Sequence, residues 1–301
     1  MAVAEDPQQQ LEWEARQRPR AALAALLAAV ANFGADAYTQ VVSRDAPHSP
    51  FLLALQQAVK PGPVSSQPSS SIPFFQWYDE HGTALIVAAV ASAVGLVALG
   101  YVLAFLAAAT RARLERMPRF AAPLVLMGAV LMGVARILGA VAFGDSVSDF
   151  LAGPRTVEAA KHVSSGSFLL ASQLIGQAGA LALAAGFVIV SLNAMRAGLI
   201  TRFLGVLGII SGVLVILPLL PVVTPFWLVL TGVVILGRWP GGPPPAWRTG
   251  RAEPWPSAAQ MAEARRERAV AERGEEGPEP AAEPAVAAGR APQKRKRKRR
   301  K

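Results

Sequence analysis

The strongest constraint on this chain is a set of apolar runs about as long as a bilayer is thick. The hydrocarbon core is about 30 Å deep and a helix rises about 1.5 Å per residue, so a crossing needs roughly 20 predominantly apolar residues. Runs of that kind occupy residues 21–42, 84–109, 120–143 and 167–192. From Phe203 to Gly237 the chain is again apolar, for longer than one crossing needs, and Pro218, Pro221 and Pro225 interrupt it. Proline ends or kinks a helix, so this stretch is expected to be a tight hairpin of two short spans, 203–218 and 225–239. The expected fold class is therefore all-α: a polytopic transmembrane bundle of six spans over residues 21–239. An N-terminal arm, residues 1–20, precedes the bundle and a polar tail, residues 240–301, follows it.

Arginine and lysine positions orient the spans, because cytoplasmic loops carry the excess of basic residues. Arg16, Arg18 and Arg20 precede the first span, and Arg111, Arg113, Arg116 and Arg119 lie between the second and third. Arg196 and Arg202 flank the turn between the fourth and fifth. The opposite side has Arg44, Lys60, Arg155 and Lys161 spread over longer loops. Both termini are expected in the cytoplasm. RQRPR, the alanine-rich run and Ala35-Asp36-Ala37 also fit a secretory signal peptide, although the acidic, glutamine-rich leader does not suit that template. Between the first two spans, residues 43–83 form a polar connection in which PFLLALQQAV (50–59) is expected as a short interfacial helix. Phe74, Phe75, Trp77 and Tyr78 look like part of an aromatic belt.

The charged residues inside the spans are the candidate site. Asp36 lies roughly 24 Å along a helix from Arg20, and Arg136 roughly 25 Å from Arg119. An isolated arginine near mid-membrane costs about 2.5–3.5 kcal/mol on insertion scales. A carboxylate at equal depth would offset that cost, so spans one and three are expected to pack with Asp36 facing Arg136. Asn32, Asp36 and Gln40 recur every four residues and share one stripe of their helix. Gln173 and Gln177 share another on span four, and Ser211 lies on span five. Together these residues are expected to line a polar cavity, with helix locking by the pair as the structural alternative. Gly205, Gly208 and Gly212 have the small-xxx-small pattern that lets helices approach closely. They serve either packing within the chain or a homo-oligomer face.

The tail ends in Lys294, Arg295, Lys296, Arg297, Lys298, Arg299, Arg300 and Lys301, which account for much of the net charge of +10. Tethered to the bilayer, this run is expected to contact anionic lipid headgroups, each basic residue contributing about 1 kcal/mol near the surface. Nucleic acid is not the expected partner. GGPPPAW reads as a stiff exit from the bundle. Residues 257–274 have the spacing of a short capped helix, and the rest of the tail has a disordered composition.

Several chemistries are excluded. The chain has no cysteine, so thiolate metal sites and thiol nucleophiles are absent. No zinc-protease, nucleophile-elbow or phosphate-loop motif is present. Asp145, Asp149, Glu158 and His162 read as ordinary loop charges rather than a divalent-ion site. No cofactor or metal is implied, and the chain is not expected to be an enzyme.

Two stretches resemble a known family. ARILGA (135–140) and AGLITRFLGVLGIISGVL (197–214) resemble a group of bacterial six-helix membrane proteins defined only as a domain of unknown function. There, an Arg-x-x-Gly-Ala pattern sits in the third span, and a Gly-Leu-x-Pro-Arg-x-Leu-Gly turn opens the fifth. Here Thr201 stands in place of that proline. GRWPGGPPPAWRTGRAEPWPS (237–257) is similar to the tail of actinobacterial membrane proteins. The resemblance implies six spans in a bacterial cell membrane, places Arg136 within a pattern, and implies no activity. The functional expectation is a non-enzymatic helical scaffold or packing protein. The alternative is a carrier or receptor that binds a small polar or anionic solute or a lipid headgroup in a polar cavity in the outer half of the membrane.

Overall fold

The computed structural model describes residues 7–47, 59, 63–217, 219–240 and 242–255, with five residues beyond them. The chain divides into two units, Met1–Trp255 and Pro256–Lys301. In the second, the described residues Ala262, Glu263, Arg266, Glu267 and Val270 are helical, inside the stretch expected as a helix. The expected interfacial helix at 50–59, all but Val59, and the basic run Lys294–Lys301 lie outside the described residues.

The first unit is helical. Its elements are α1 (Pro7–Val42), α2 (Ile72–Arg111), α3 (Ala121–Ala152), α4 (Val157–Ser165), α5 (Ser167–Ala197), α6 (Arg202–Ile216), α7 (Val223–Ile235) and the single turn α8 (Ala246–Thr249). An isolated bridge between Pro68 and Thr156 is the nearest thing to a strand among the described residues. α1, α2, α3 and the α4–α5 segment are long and apolar enough to cross a membrane, whereas α6 and α7 are apolar but only 15 and 13 residues long.

Short turns make α2 and α3, and α5 and α6, antiparallel neighbours, as connections of a few residues do. α1 packs on α2, α2 on α3, α3 on α5, α5 on α6, α6 on α7, and α7 returns to α1. The six helices thus form a closed ring in chain order, with α2 and α5 meeting across its middle. Val102, Leu103, Leu106, Leu183, Phe187, Leu204 and Trp227 are fully buried inside it. Leu23, Val30, Val87, Leu174 and Leu181 are exposed on its outside. Large apolar side chains facing outward around a ring are what lipid, rather than water, would cover.

The helices outrun the apolar spans. α2 begins at Ile72, well before the expected 84, and α3 continues to Ala152. The stretch 144–166, between the expected third and fourth spans, is largely helical, because Val147, Phe150 and Val163 bury together with Phe75 in a second small core. Thr156 caps α4, its hydroxyl accepting a hydrogen bond from the Ala159 N–H, which satisfies one of the free donors of a helix start. The expected aromatic belt is only partly one: Phe75 lies edge-on to Phe150 and Tyr78 edge-on to Phe143. α1 passes unbroken through Ala35-Asp36-Ala37 and closes the ring.

Candidate functional site

The expected Asp36–Arg136 pair is not formed. α3 packs on α2 and α5, and α1 on α2 and α7, so α2 stands between the two charges. Asp36 and Gln40 are exposed on α1. Asn32 faces α2 instead: its side chain fills the space a Cβ at Gly95 would take, and its Nδ2 donates to the Ala28 carbonyl at 2.8 Å. Equal depth gives two residues the same height but leaves the direction each one faces undetermined.

Arg136 faces α5. It lines a groove of about 730 Å³ together with Ser172, Gln173 and Gln177. Three of the expected cluster residues, Arg136, Gln173 and Gln177, therefore come together, while Asn32, Asp36 and Gln40 lie elsewhere. Ser211 is fully buried in the ring and is not part of the groove. The groove walls are apolar where they meet the polar groups: Phe143 and Met132 on α3, Leu169 on α5, and Val215 and Ile216 at the end of α6. The groove exists because α6 is short. It stops at Ile216, where the proline-interrupted sequence ends it, and leaves the far half of α5 uncovered on that side.

Close backbone packing positions these side chains. A Cβ added at Gly128 of α3 would lie 2.9 Å from both the Gly179 carbonyl oxygen and the Leu183 Cα of α5. One added at Gly139 would lie 3.3 Å from Ser172 Oγ and 3.9 Å from its Cβ. On the next face, Gly205, Gly208 and Gly212 of α6 rest on Met195, Ser191 and Ala184 of α5. That glycine stripe is used within the chain, so it does not supply a homo-oligomer face. Thr201 caps α6 by accepting from the Leu204 N–H at 3.2 Å.

Among the described residues the Arg136 guanidinium has no hydrogen-bond or ion-pair partner; the ion pairs there are Arg113–Glu14 and Arg18–Glu14. These form a second polar centre that the sequence did not reveal. Gln10, Glu14 and Arg18 recur every four residues on one face of α1. The Glu14 and Arg113 side chains are completely buried. The two oxygens of the Glu14 carboxylate accept from Arg113 Nη1 and, at 2.7 Å, from Nη2. Arg113 also donates to the carbonyls of Ala109 and Ala246. All of its donor nitrogens are thereby satisfied, as a buried guanidinium requires.

The C-terminal segment completes this centre. Residues 242–255, expected to leave the bundle, lie along its end instead. Trp247 is buried and donates its indole N–H to the Leu199 carbonyl at 2.9 Å. Its ring lies under Arg18, 4.4 Å away, and stacks on Phe105. Gly198, with φ of +77°, lies against the Glu253 carbonyl, which leaves no room for a side chain. The tryptophan in GGPPPAW was the available signal: a large aromatic that gains from burial only if its N–H finds a partner.

Comparison with family models, with curated proteins and with solved structures finds no match for this chain.

Proposed function

We propose that this chain is a bacterial cell-membrane protein, without enzymatic activity, that binds an anionic amphiphile in the groove between α3 and α5. The arginine bias of its turns supports six membrane-embedded segments with both termini in the cytoplasm. α6 and α7 are about 22 Å and 20 Å long, shorter than the hydrocarbon core. Their connection exposes Leu217, Leu219, Leu220 and Val222, a tip suited to lipid rather than water. On this account the hairpin enters from the cytoplasmic side and ends in the outer leaflet. The groove beyond its tip opens toward the outer headgroups.

The observation that carries the proposal is the unpaired Arg136 guanidinium in a groove whose other polar groups are neutral. A charge left without a protein partner at that depth favours an anion from outside. Gln173 and Gln177 would orient the headgroup, and Phe143, Leu169 and Ile216 would take the start of an acyl chain. This is a receptor or carrier site rather than a bare packing scaffold.

The test is ligand binding to the purified chain in zwitterionic nanodiscs, with oleate as the anionic probe and lysophosphatidylcholine as the comparison. Oleate should raise the melting temperature progressively as its concentration exceeds the dissociation constant. Arg136→Gln should weaken oleate binding by about 10- to 100-fold, the equivalent of one charge-assisted hydrogen bond of about 1.5–3 kcal/mol. If Arg136→Gln melts like the wild type and oleate and lysophosphatidylcholine bind alike, the chain is a scaffold and the site is absent.

A further inference from the structure

At the other end of the ring, α1, the end of α2 and the start of α3 enclose a separate cavity of about 590 Å³. Arg16, Arg111 and Arg119 line it, one from each wall, with Gln9, Gln10, Glu12 and Trp13 from α1. The floor is apolar: Ala107 and Ala108 of α2, Ala122 and Pro123 of α3. Among the described residues these three guanidiniums have no hydrogen-bond or ion-pair partner. Their neighbour Arg113 is fully engaged with Glu14 and backbone carbonyls. Among the described residues Glu14 is the one buried carboxylate; it is taken by Arg113, and Arg16, Arg111 and Arg119 line the cavity without a partner.

We propose that this cavity is a binding site for a phosphate-bearing polyol, such as the headgroup of an anionic glycerophospholipid. The chemistry follows from the lining. Arginines from α1, from the end of α2 and from the α2–α3 turn can surround a phosphate, and arginine matches phosphate oxygens in a planar, bidentate geometry. A carboxylate among them excludes a bare polyanion but accepts hydrogen bonds from hydroxyls, so Glu12 and Gln9 select a headgroup that carries them. The apolar floor continues directly into the apolar stretches of α2 and α3, which places the phosphate at the depth of a headgroup and the acyl chains along the helices. Trp13, half-buried against Phe105, supplies the amphipathic surface typical of that level. Gln10 joins the two centres, since it lines the cavity and donates to Glu14 at 2.9 Å. Occupancy of the cavity therefore bears on the contact that holds α1 to the C-terminal segment. The site does not depend on the groove around Arg136 or on which side of the membrane this end faces.

The full chain in nanodiscs of phosphatidylcholine, open on both faces, provides the test. Dioctanoyl phosphatidylglycerol and glycerol 1-phosphate are the two probes, followed by native mass spectrometry and thermal shift. Binding of the lipid alone identifies a lipid site, and binding of both with similar affinity identifies a site for the phosphoester itself. The double variant Arg111→Gln with Arg119→Gln should weaken binding at least 10-fold. Ala122→Phe, which fills the cavity with every charge intact, should do the same. Arg136→Gln should leave this binding unchanged. Failure of both probes to bind the wild type at millimolar concentration overturns the proposal, as does wild-type affinity in the double variant and in Ala122→Phe.

Discussion

Glu14→Ala is expected to destabilise the folded chain by about 3–5 kcal/mol, the usual cost of removing one partner of a buried ion pair. The loss exceeds the worth of the pair itself. Arg113 would keep its burial and its contacts with the Ala109 and Ala246 carbonyls but lose the charge that balances it. Arg18 would lose its nearest acid as well. The expected reading is a large drop in the denaturant midpoint, followed by tryptophan fluorescence, because Trp13 and Trp247 both lie close to the pair. Removing both charges with Glu14→Leu and Arg113→Met should cost less than Glu14→Ala alone, since no unpaired charge then remains. A single-variant cost below about 1 kcal/mol would mean a solvent-screened pair of the surface kind, and the docked C-terminal segment would lose its main support.

The second large effect is expected at Gly128. The atoms that a Cβ there would meet are backbone atoms of Gly179 and Leu183, which cannot swing aside as a side chain can. Gly128→Ala should cost about 1–3 kcal/mol, the range for overpacking, even though alanine favours helix by about 1 kcal/mol over glycine. Gly128→Leu should separate α3 from α5 and prevent recovery of folded protein. Gly34 and Gly144 are the controls. Nothing lies within 4 Å of a Cβ at either position, so alanine there should be neutral or slightly stabilising. Thermal melting of the three alanine variants in one detergent, with the yield of folded protein for Gly128→Leu, checks the contrast, and equal melting of Gly128→Ala and Gly34→Ala would contradict it.

The spans were legible because lipid demands long apolar runs: the runs at 84–109 and 167–192 sit inside α2 and α5, and 120–143 lies inside α3 but for its first residue. The glycines of α6 were legible for the same reason: small residues at helical spacing serve close approach. The polar residues of the groove were legible as residue types. Their partners were not, because spacing along a helix gives height, and a helix's neighbours are set by how the ring closes. Asp36 and Arg136 lie at similar distances along their helices from the basic turns, but α2 stands between their helices. Glu14 and Arg113 were hidden differently. Each sits in a segment whose charges look like topology signals, and only folding of Ala246–Trp247 against them removes water from the pair. Val147, Phe150 and Val163 likewise look like scattered apolar residues in a polar stretch until Phe75 is placed beside them.

Arg136 lines a groove between α3 and α5 and does not pair with Asp36. The chain has no cysteine, so paired cysteines report on this without background. A Cβ at Gly139 lies 3.9 Å from that of Ser172, within the roughly 3.5–4.5 Å that a disulfide spans. Oxidation in native membranes should link Gly139→Cys to Ser172→Cys rapidly and leave Asp36→Cys and Arg136→Cys unlinked. A rapid link between positions 36 and 136, with none between 139 and 172, would contradict the account.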